Sequence, residues 1–147
     1  MIARGARAQP ATRRLRACVA IIAAAILAAC SQPAPPPTEF AGGIAIPAGA
    51  AGLREHVDDG FRSMTAYYRF ELPPQQLPAL TVALRCSLGD AGTGPRPAGA
   101  GDPAWFAPDP SHPHRRCQSQ LASGWFYELE VDLARPERYV VYLIAFS

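Results

Sequence analysis

Residues 125–132 read W-F-Y-E-L-E-V-D and residues 139–146 read Y-V-V-Y-L-I-A-F, and these two stretches decide the fold. The first alternates large apolar side chains with mostly acidic ones, which predicts a strand with one face in the core and one in water. The second is a nearly continuous apolar run rich in β-branched and aromatic residues, which is typical of a central strand buried on both faces. Pro136 lies in the turn between them, so we expect an antiparallel hairpin.

A strand and a helix are expected before this hairpin. Residues 66–72 alternate, with one apolar face (Tyr68, Phe70 and Leu72) and one face expected to be wet (Tyr67, Arg69 and Glu71). Pro73 and Pro74 end this strand. Leucines then recur at helical spacing and predict a helix over about 75–86, with Leu77, Leu80, Ala83 and Leu84 on the buried face. Because Pro78 cannot donate a backbone hydrogen bond, we expect the regular helix to begin only near Leu77.

The remaining segments are less regular. Residues 43–47 fit a short edge strand, and residues 53–57 fit either a strand or a helical turn. Residues 88–120 are rich in proline and glycine and predict a long loop, which in a domain of this size indicates disorder, a functional excursion or a covalent tie. The order β-α-(long loop)-β-β predicts an α+β two-layer sandwich over residues 43–147, with the helix covering one sheet face.

The N-terminal segment predicts export. The first sixteen residues carry five arginines and no acidic residue, and residues 17–29 form an apolar stretch too short to span a bilayer. The sequence Leu27-Ala28-Ala29-Cys30 ends this stretch and resembles the lipobox of bacterial lipoproteins. This resemblance implies that residues 1–29 are a cleaved signal peptide and that the Cys30 thiol carries lipid, which anchors the chain to a cell membrane or outer membrane with its domain outside the cytoplasm. Acyl chains hold a small domain at a bilayer without a spanning helix.

Cleavage before Cys30 changes the charge of the protein. The mature chain keeps nine arginines against twelve carboxylates, so its formal charge is −3 although the precursor is basic. A mildly acidic domain without an arginine cluster argues against nucleic acid as a partner. Residues 30–42 are expected to form a lipidated, proline-rich tether that spaces the domain from the membrane.

Two cysteines remain in the mature domain, Cys86 and Cys117. An even pair in an exported protein predicts a disulfide, which would tie the long loop to the end of the helix. The alternative is a zinc or copper site in which His112 and His114 join the two thiols, although their spacing matches no established module. We expect the disulfide, no metal and no cofactor.

Carboxylates and histidines offer only weak candidates for catalysis. His56 lies near Asp58 and Asp59, and Glu128, Glu130 and Asp132 share the acidic strand face. We interpret Asp58 and Asp59 as part of a turn before Gly60 and the second group as a solvated strand face, so the sequence predicts no catalytic residue and no enzyme. A small hydrolase using His56, Asp58 or Asp59 remains an alternative, as does a small-ligand or metal carrier.

Aromatic residues give the stronger functional hypothesis. Tyr67 and Phe126 are expected on the polar faces of their strands, and Trp105 and Phe106 lie within the long loop. Exposed aromatics are enriched at contact surfaces, so these four residues are candidate interaction residues, unless the loop folds over the sheet and hides them. The arrangement of strand, leucine-rich helix and closing V-V-Y-L strand resembles small uncharacterised exported bacterial proteins, a resemblance that implies no activity. The sequence thus predicts a non-enzymatic envelope lipoprotein that binds another envelope component.

Overall fold

A five-stranded antiparallel sheet forms the framework of the domain. The computed structural model describes residues 36–96, 99 and 101–147, so the predicted signal peptide and Cys30 lie outside the described residues. The elements in chain order are β1 Glu39–Phe40, β2 Ile44–Ala45, β3 Ala51–Asp59, β4 Met64–Leu72, a 3₁₀ turn Pro74–Gln76, α1 Leu77–Leu84, β5 His114–Gln120, β6 Phe126–Asp132 and β7 Tyr139–Phe146. The strand order in the sheet is β3-β4-β7-β6-β5, and β1 and β2 form a separate two-stranded ribbon.

Strand β7 occupies the centre of the sheet, as predicted. It pairs antiparallel with β4 on one side and with β6 on the other, so that Val141 lies between Phe70 and Val131. Its inner residues from Val140 to Ala145 are all buried, which confirms a strand covered on both faces. The predicted β6–β7 hairpin is also present.

The helix covers one face of the sheet through its leucines. Leu77, Leu80 and Leu84 are buried against the aromatic and aliphatic residues of β4, β6 and β7. A 3₁₀ turn precedes α1, and Pro78 falls in its first turn, where a missing N–H costs no hydrogen bond within the helix. This confirms the predicted start near Leu77. Ala83, expected on the buried face, is exposed instead.

The N-terminal ribbon belongs to the same layer as the helix, so the predicted tether boundary at residue 42 is wrong. Phe40 is 2% exposed and stacks on Phe70 at a centroid distance of 5.3 Å. The Ala41 N–H donates to the Tyr68 hydroxyl (2.8 Å), and the Tyr127 hydroxyl donates to the Ala41 carbonyl (2.9 Å). Burial raises the pKa of Tyr68 to about 12, which keeps its hydroxyl neutral. The compact unit therefore begins at Pro37.

Two further strands complete the sheet. Residues 53–57, which fitted a strand or a helical turn, lie in β3, an edge strand that is exposed along most of its length. The prediction of a loop through residue 120 is wrong, because residues 114–120 form β5 and pair with β6. Together these elements make a domain that is mostly antiparallel sheet, and the described residues contain one short α-helix, in agreement with an α+β class. No helix in the described part of the chain is long and apolar enough to cross a membrane.

Candidate functional site on the loop-covered face of the sheet

The second face of the sheet is covered by residues 89–96, 99 and 101–113, which we call the covering loop. Phe106 anchors this loop, since its ring is 3% exposed and meets the rings of Tyr67 and Tyr142 edge-on at 5.3 and 5.4 Å. Trp105 is partly buried and lies edge-on to Phe106 at 5.9 Å. The expectation that Tyr67 lies on a wet face is therefore wrong, because the loop adds a layer that strand periodicity does not report.

An ion pair fixes the covering loop from within. Arg96 Nη1 lies 2.8 Å from Oδ2 of Asp102, and both side chains are largely buried. The Arg96 guanidinium also lies over the Phe106 ring, 5.0 Å from its centroid, a cation–π geometry. Burial, followed by the neighbouring Asp102 carboxylate, raises the pKa of Tyr67. These contacts place one arginine at the edge of an open part of the sheet face.

Beneath the loop, a histidine and a glutamate are buried side by side. Nδ1 of His114 lies 3.1 Å from Oε1 of Glu130, although the atoms are not aligned for a hydrogen bond. Nε2 of His114 lies 2.7 Å from the Asp109 carbonyl, which can only accept, so Nε2 carries a hydrogen. Arg116 supplies positive charge to the same carboxylate, since its Nη2 lies 2.8 Å from Oε1 of Glu130.

The acidic face of β6 is mostly buried, which corrects the interpretation of a solvated strand face. Glu130 and Asp132 are 4% and 7% exposed. Asp132 Oδ2 lies 2.8 Å from Nδ1 of His112 in the covering loop, and this hydrogen bond raises the pKa of His112. Glu128 stays half-buried and accepts a 3.1 Å hydrogen bond from Gln118. Charged partners from the loop and β5 therefore compensate the buried carboxylates.

Cys86 and Cys117 lie at disulfide distance, with their Cα atoms 5.8 Å apart. The pair joins the segment after α1 to β5, and Arg115 reinforces this connection by donating to the carbonyls of Leu88 and Gly89. The predicted disulfide was expected to hold a long loop to the helix end. In the structure this cysteine pair joins strand β5 to the helix layer.

The alternative metal site is not assembled. The two sulfurs face each other, while His112 meets Asp132 and His114 meets Glu130. In the part of the chain that the structure covers, no group of three or more His, Cys, Asp or Glu side chains is arranged to hold a metal ion.

The hydrolase candidates lie on the exposed edge strand β3. His56 pairs with Tyr67 across the sheet, with 6.1 Å between ring centroids, whereas Asp59 pairs with Met64. Alternation along a strand puts His56 and Asp58 on one face and Asp59 on the other. All three residues are exposed, so the structure does not bring them together as a buried group. The interpretation of Asp58 and Asp59 as part of a turn is also wrong, because both residues lie in β3 and the turn begins only after Asp59.

An open groove runs along the sheet beside the covering loop. It consists of two adjoining cavities of about 380 and 230 Å³ that share Gln118 and Glu128 as lining residues. Charged and apolar side chains line the first cavity, chiefly Arg96, Phe106, Arg116, Glu130, Tyr142 and Ile144. The second is lined by Phe126 and Phe146, whose rings stack at 5.2 Å.

The four aromatic candidates therefore separate. Tyr67 and Phe106 are buried and hold the loop in place, Trp105 is partly buried, and Phe126 is 39% exposed at the groove. The position of Arg96 and Arg116 at the groove was not predicted from the sequence, because it depends on the covering loop returning over β5 and β6. Phe61, which is 98% exposed at the tip of the β3–β4 hairpin, was also not singled out from the sequence. The position of Phe61 directly after Gly60 was the feature of the sequence that could have indicated an exposed aromatic in a turn.

Comparison with protein-family models, curated proteins and solved structures found no significant match to this chain.

Proposed function

We propose that this protein is a lipid-anchored, non-enzymatic envelope module that binds another envelope protein through the groove on its loop-covered face. The observation that carries the proposal is Phe126, an exposed aromatic stacked on Phe146 at the end of a groove that also contains charged side chains. Aromatic anchors beside polar groups are typical of non-obligate protein interfaces. The lipobox-like Leu27-Ala28-Ala29-Cys30 supports the anchor.

The charges along the groove favour a polar partner surface over an apolar ligand. Arg116 is half-exposed while it pairs with Glu130, and Glu128 at the junction of the two cavities is also accessible. Positive and negative groups within one groove provide electrostatic complementarity to a partner that presents both signs. The tie between Cys86 and Cys117 holds β5, one wall of this groove, to the helix layer.

The ion pairs of the loop-covered face also support a binding role. The buried carboxylates Glu130 and Asp132 are engaged by Arg116 and His112, and His56 lies on an open strand edge. These pairs hold β5 and the covering loop to β6, which supports a fixed binding surface.

Photo-crosslinking in intact cells tests the groove. A benzophenone amino acid at position 126 is expected to give one adduct of discrete mass, and that adduct should be lost when Glu128→Lys reverses a charge beside it. The matched control is the same crosslinker at position 61, since Phe61 is a more exposed phenylalanine away from the groove. No adduct at 126 from well-expressed protein, or equal adducts at both positions, contradicts the proposal.

A further inference from the structure

The outer side of the helix layer carries an apolar groove. Of the helix residues that point away from the sheet, Pro78, Ala79, Val82 and Ala83 are all exposed, and Val82 is 75% exposed. An exposed helix face normally carries charged or polar side chains. The groove beside it has a volume of about 670 Å³, and its lining combines apolar residues such as Val82 and Leu88 with Thr81 and Ser87 and with two arginines, Arg85 and Arg115.

Two arginines give this groove a positive charge. None of the described residues that line it is acidic. Arg115 donates to the carbonyls of Leu88 (3.1 Å) and Gly89 (2.8 Å), which are neutral acceptors, and its guanidinium forms no salt bridge among the described residues. Arg85 ends the helix in a left-handed conformation and is exposed. An apolar surface flanked by cations matches the chemistry of an anionic phospholipid, which offers acyl chains beneath a phosphate layer.

The chain that leads from the anchor point enters the domain on the side of the helix layer. The compact unit begins at Pro37, and the ribbon that follows packs in the helix layer, where β2 contacts α1. Six residues lie between Cys30 and Pro37, so the covalent reach between these two residues is at most roughly 25 Å. A lipid on Cys30 therefore holds the domain within this distance of the bilayer, through a chain that enters the domain in the helix layer, opposite the covering loop.

We infer that the apolar groove of α1, with Arg85 and Arg115, docks on the anionic lipid surface to which the protein is anchored. The inference rests on the proposed lipid anchor. Docking through the helix layer directs the loop-covered face away from the bilayer, where it is accessible to a partner.

Fluorescence of the lipidated mature protein in vesicles tests this docking. With Cys30 lipidated and Cys86 paired with Cys117, an Ala79→Cys variant offers a new thiol for an environment-sensitive dye. The dye is expected to brighten in vesicles that contain phosphatidylglycerol and to return toward its aqueous value in phosphatidylcholine alone or at high salt. Arg85→Gln should weaken docking about fivefold, and Val82→Ser should weaken it through lost apolar contact. The control dye at Ser123→Cys, in the exposed β5–β6 turn, should not respond.

Vesicle flotation separates failure of the docking from failure of the anchor. Protein that floats with vesicles while the position 79 dye stays aqueous overturns the docking and leaves the anchor intact. Protein that does not float overturns the anchor, and the docking fails with it. A response of equal size at positions 79 and 123 also overturns the proposal, because it shows that no particular face meets the lipid.

Discussion

Nδ1 of His114 lies 3.1 Å from Oε1 of Glu130, and the two side chains are only 2% and 5% exposed. This pair connects β5 to β6. The His114 ring also contacts the covering loop, since its Nε2 lies 2.7 Å from the Asp109 carbonyl. The contact stabilises the face that we propose as the binding surface.

Removal of Glu130 should take away the ion-pair partner of Arg116 and the carboxylate that lies beside the buried His114 ring. We expect Glu130→Ala to lower the free energy of unfolding by about 2 kcal/mol, since it removes a charge-assisted contact and leaves buried polar atoms without their neighbour. Glu128→Ala is the matched control: Glu128 lies two residues away on the same strand face and is half-buried, so it should cost under about 1 kcal/mol. Urea denaturation of both variants measures the difference, and equal losses would contradict the assigned role of Glu130.

The contact between His112 and Asp132 should make stability depend on pH. The hydrogen bond between His112 and Asp132 raises the pKa of His112 above 6.5. A raised folded-state pKa contributes stability that is fully present below the unfolded pKa and is lost as pH rises through the folded pKa. Wild type should therefore be more stable than His112→Gln at about pH 5, and this advantage should shrink by about pH 9. Melting temperatures across this range measure the effect, and an advantage that grows with pH would contradict it.

The cysteine pair should stabilise the domain through its position in the chain. Cys86 and Cys117 are 31 residues apart, and linking a loop of this length contributes roughly 3–4 kcal/mol in the chain-entropy model. The Cys86→Ala, Cys117→Ala double variant should lose about this amount by urea denaturation, and a reducing agent should then have no further effect on it. An unchanged denaturation midpoint in the variant would show that the pair does not stabilise the domain.

Phe40 tests where the domain begins. Because its ring is buried among the helix leucines and the aromatics of β4, Phe40→Ala should cost about 3–5 kcal/mol. The neighbouring Glu39 is exposed, so Glu39→Ala should change stability by less than about 0.5 kcal/mol. Thermal unfolding distinguishes the two substitutions. If Phe40→Ala does not change the stability of the domain, Phe40 belongs to the tether and not to the folded domain.

The local pattern of apolar residues predicted the strands and the helix whose own sequences carry a clear apolar face. Strand β7 followed from its uninterrupted apolar run, β6 from its alternation, and the start of α1 from Pro78. Strand β5 was not predicted, because H-R-R-C-Q-S-Q has one buried apolar residue, Cys117, and its buried His114 depends on Glu130 from another strand.

The candidate site was harder to predict than the fold, because it depends on contacts that are distant in sequence. Tyr67 is buried only because Phe106 returns to it across the sheet, and Asp132 is buried because His112 compensates it. Phe40 lies beside proline-rich sequence that resembles a linker, although the hydroxyls of Tyr68 and Tyr127 bond to Ala41. Of the aromatic residues chosen from sequence, Phe126 keeps substantial exposure at the groove.

Intact-mass and N-terminal peptide analysis of the protein purified from its native membrane tests the central claim most directly. The account predicts a chain that begins at Cys30, with diacylglycerol on its thiol and residues 1–29 absent. A mature chain that retains residues before Cys30, or that carries an unmodified Cys30 thiol, would contradict the lipid anchor and the membrane docking that rests on it.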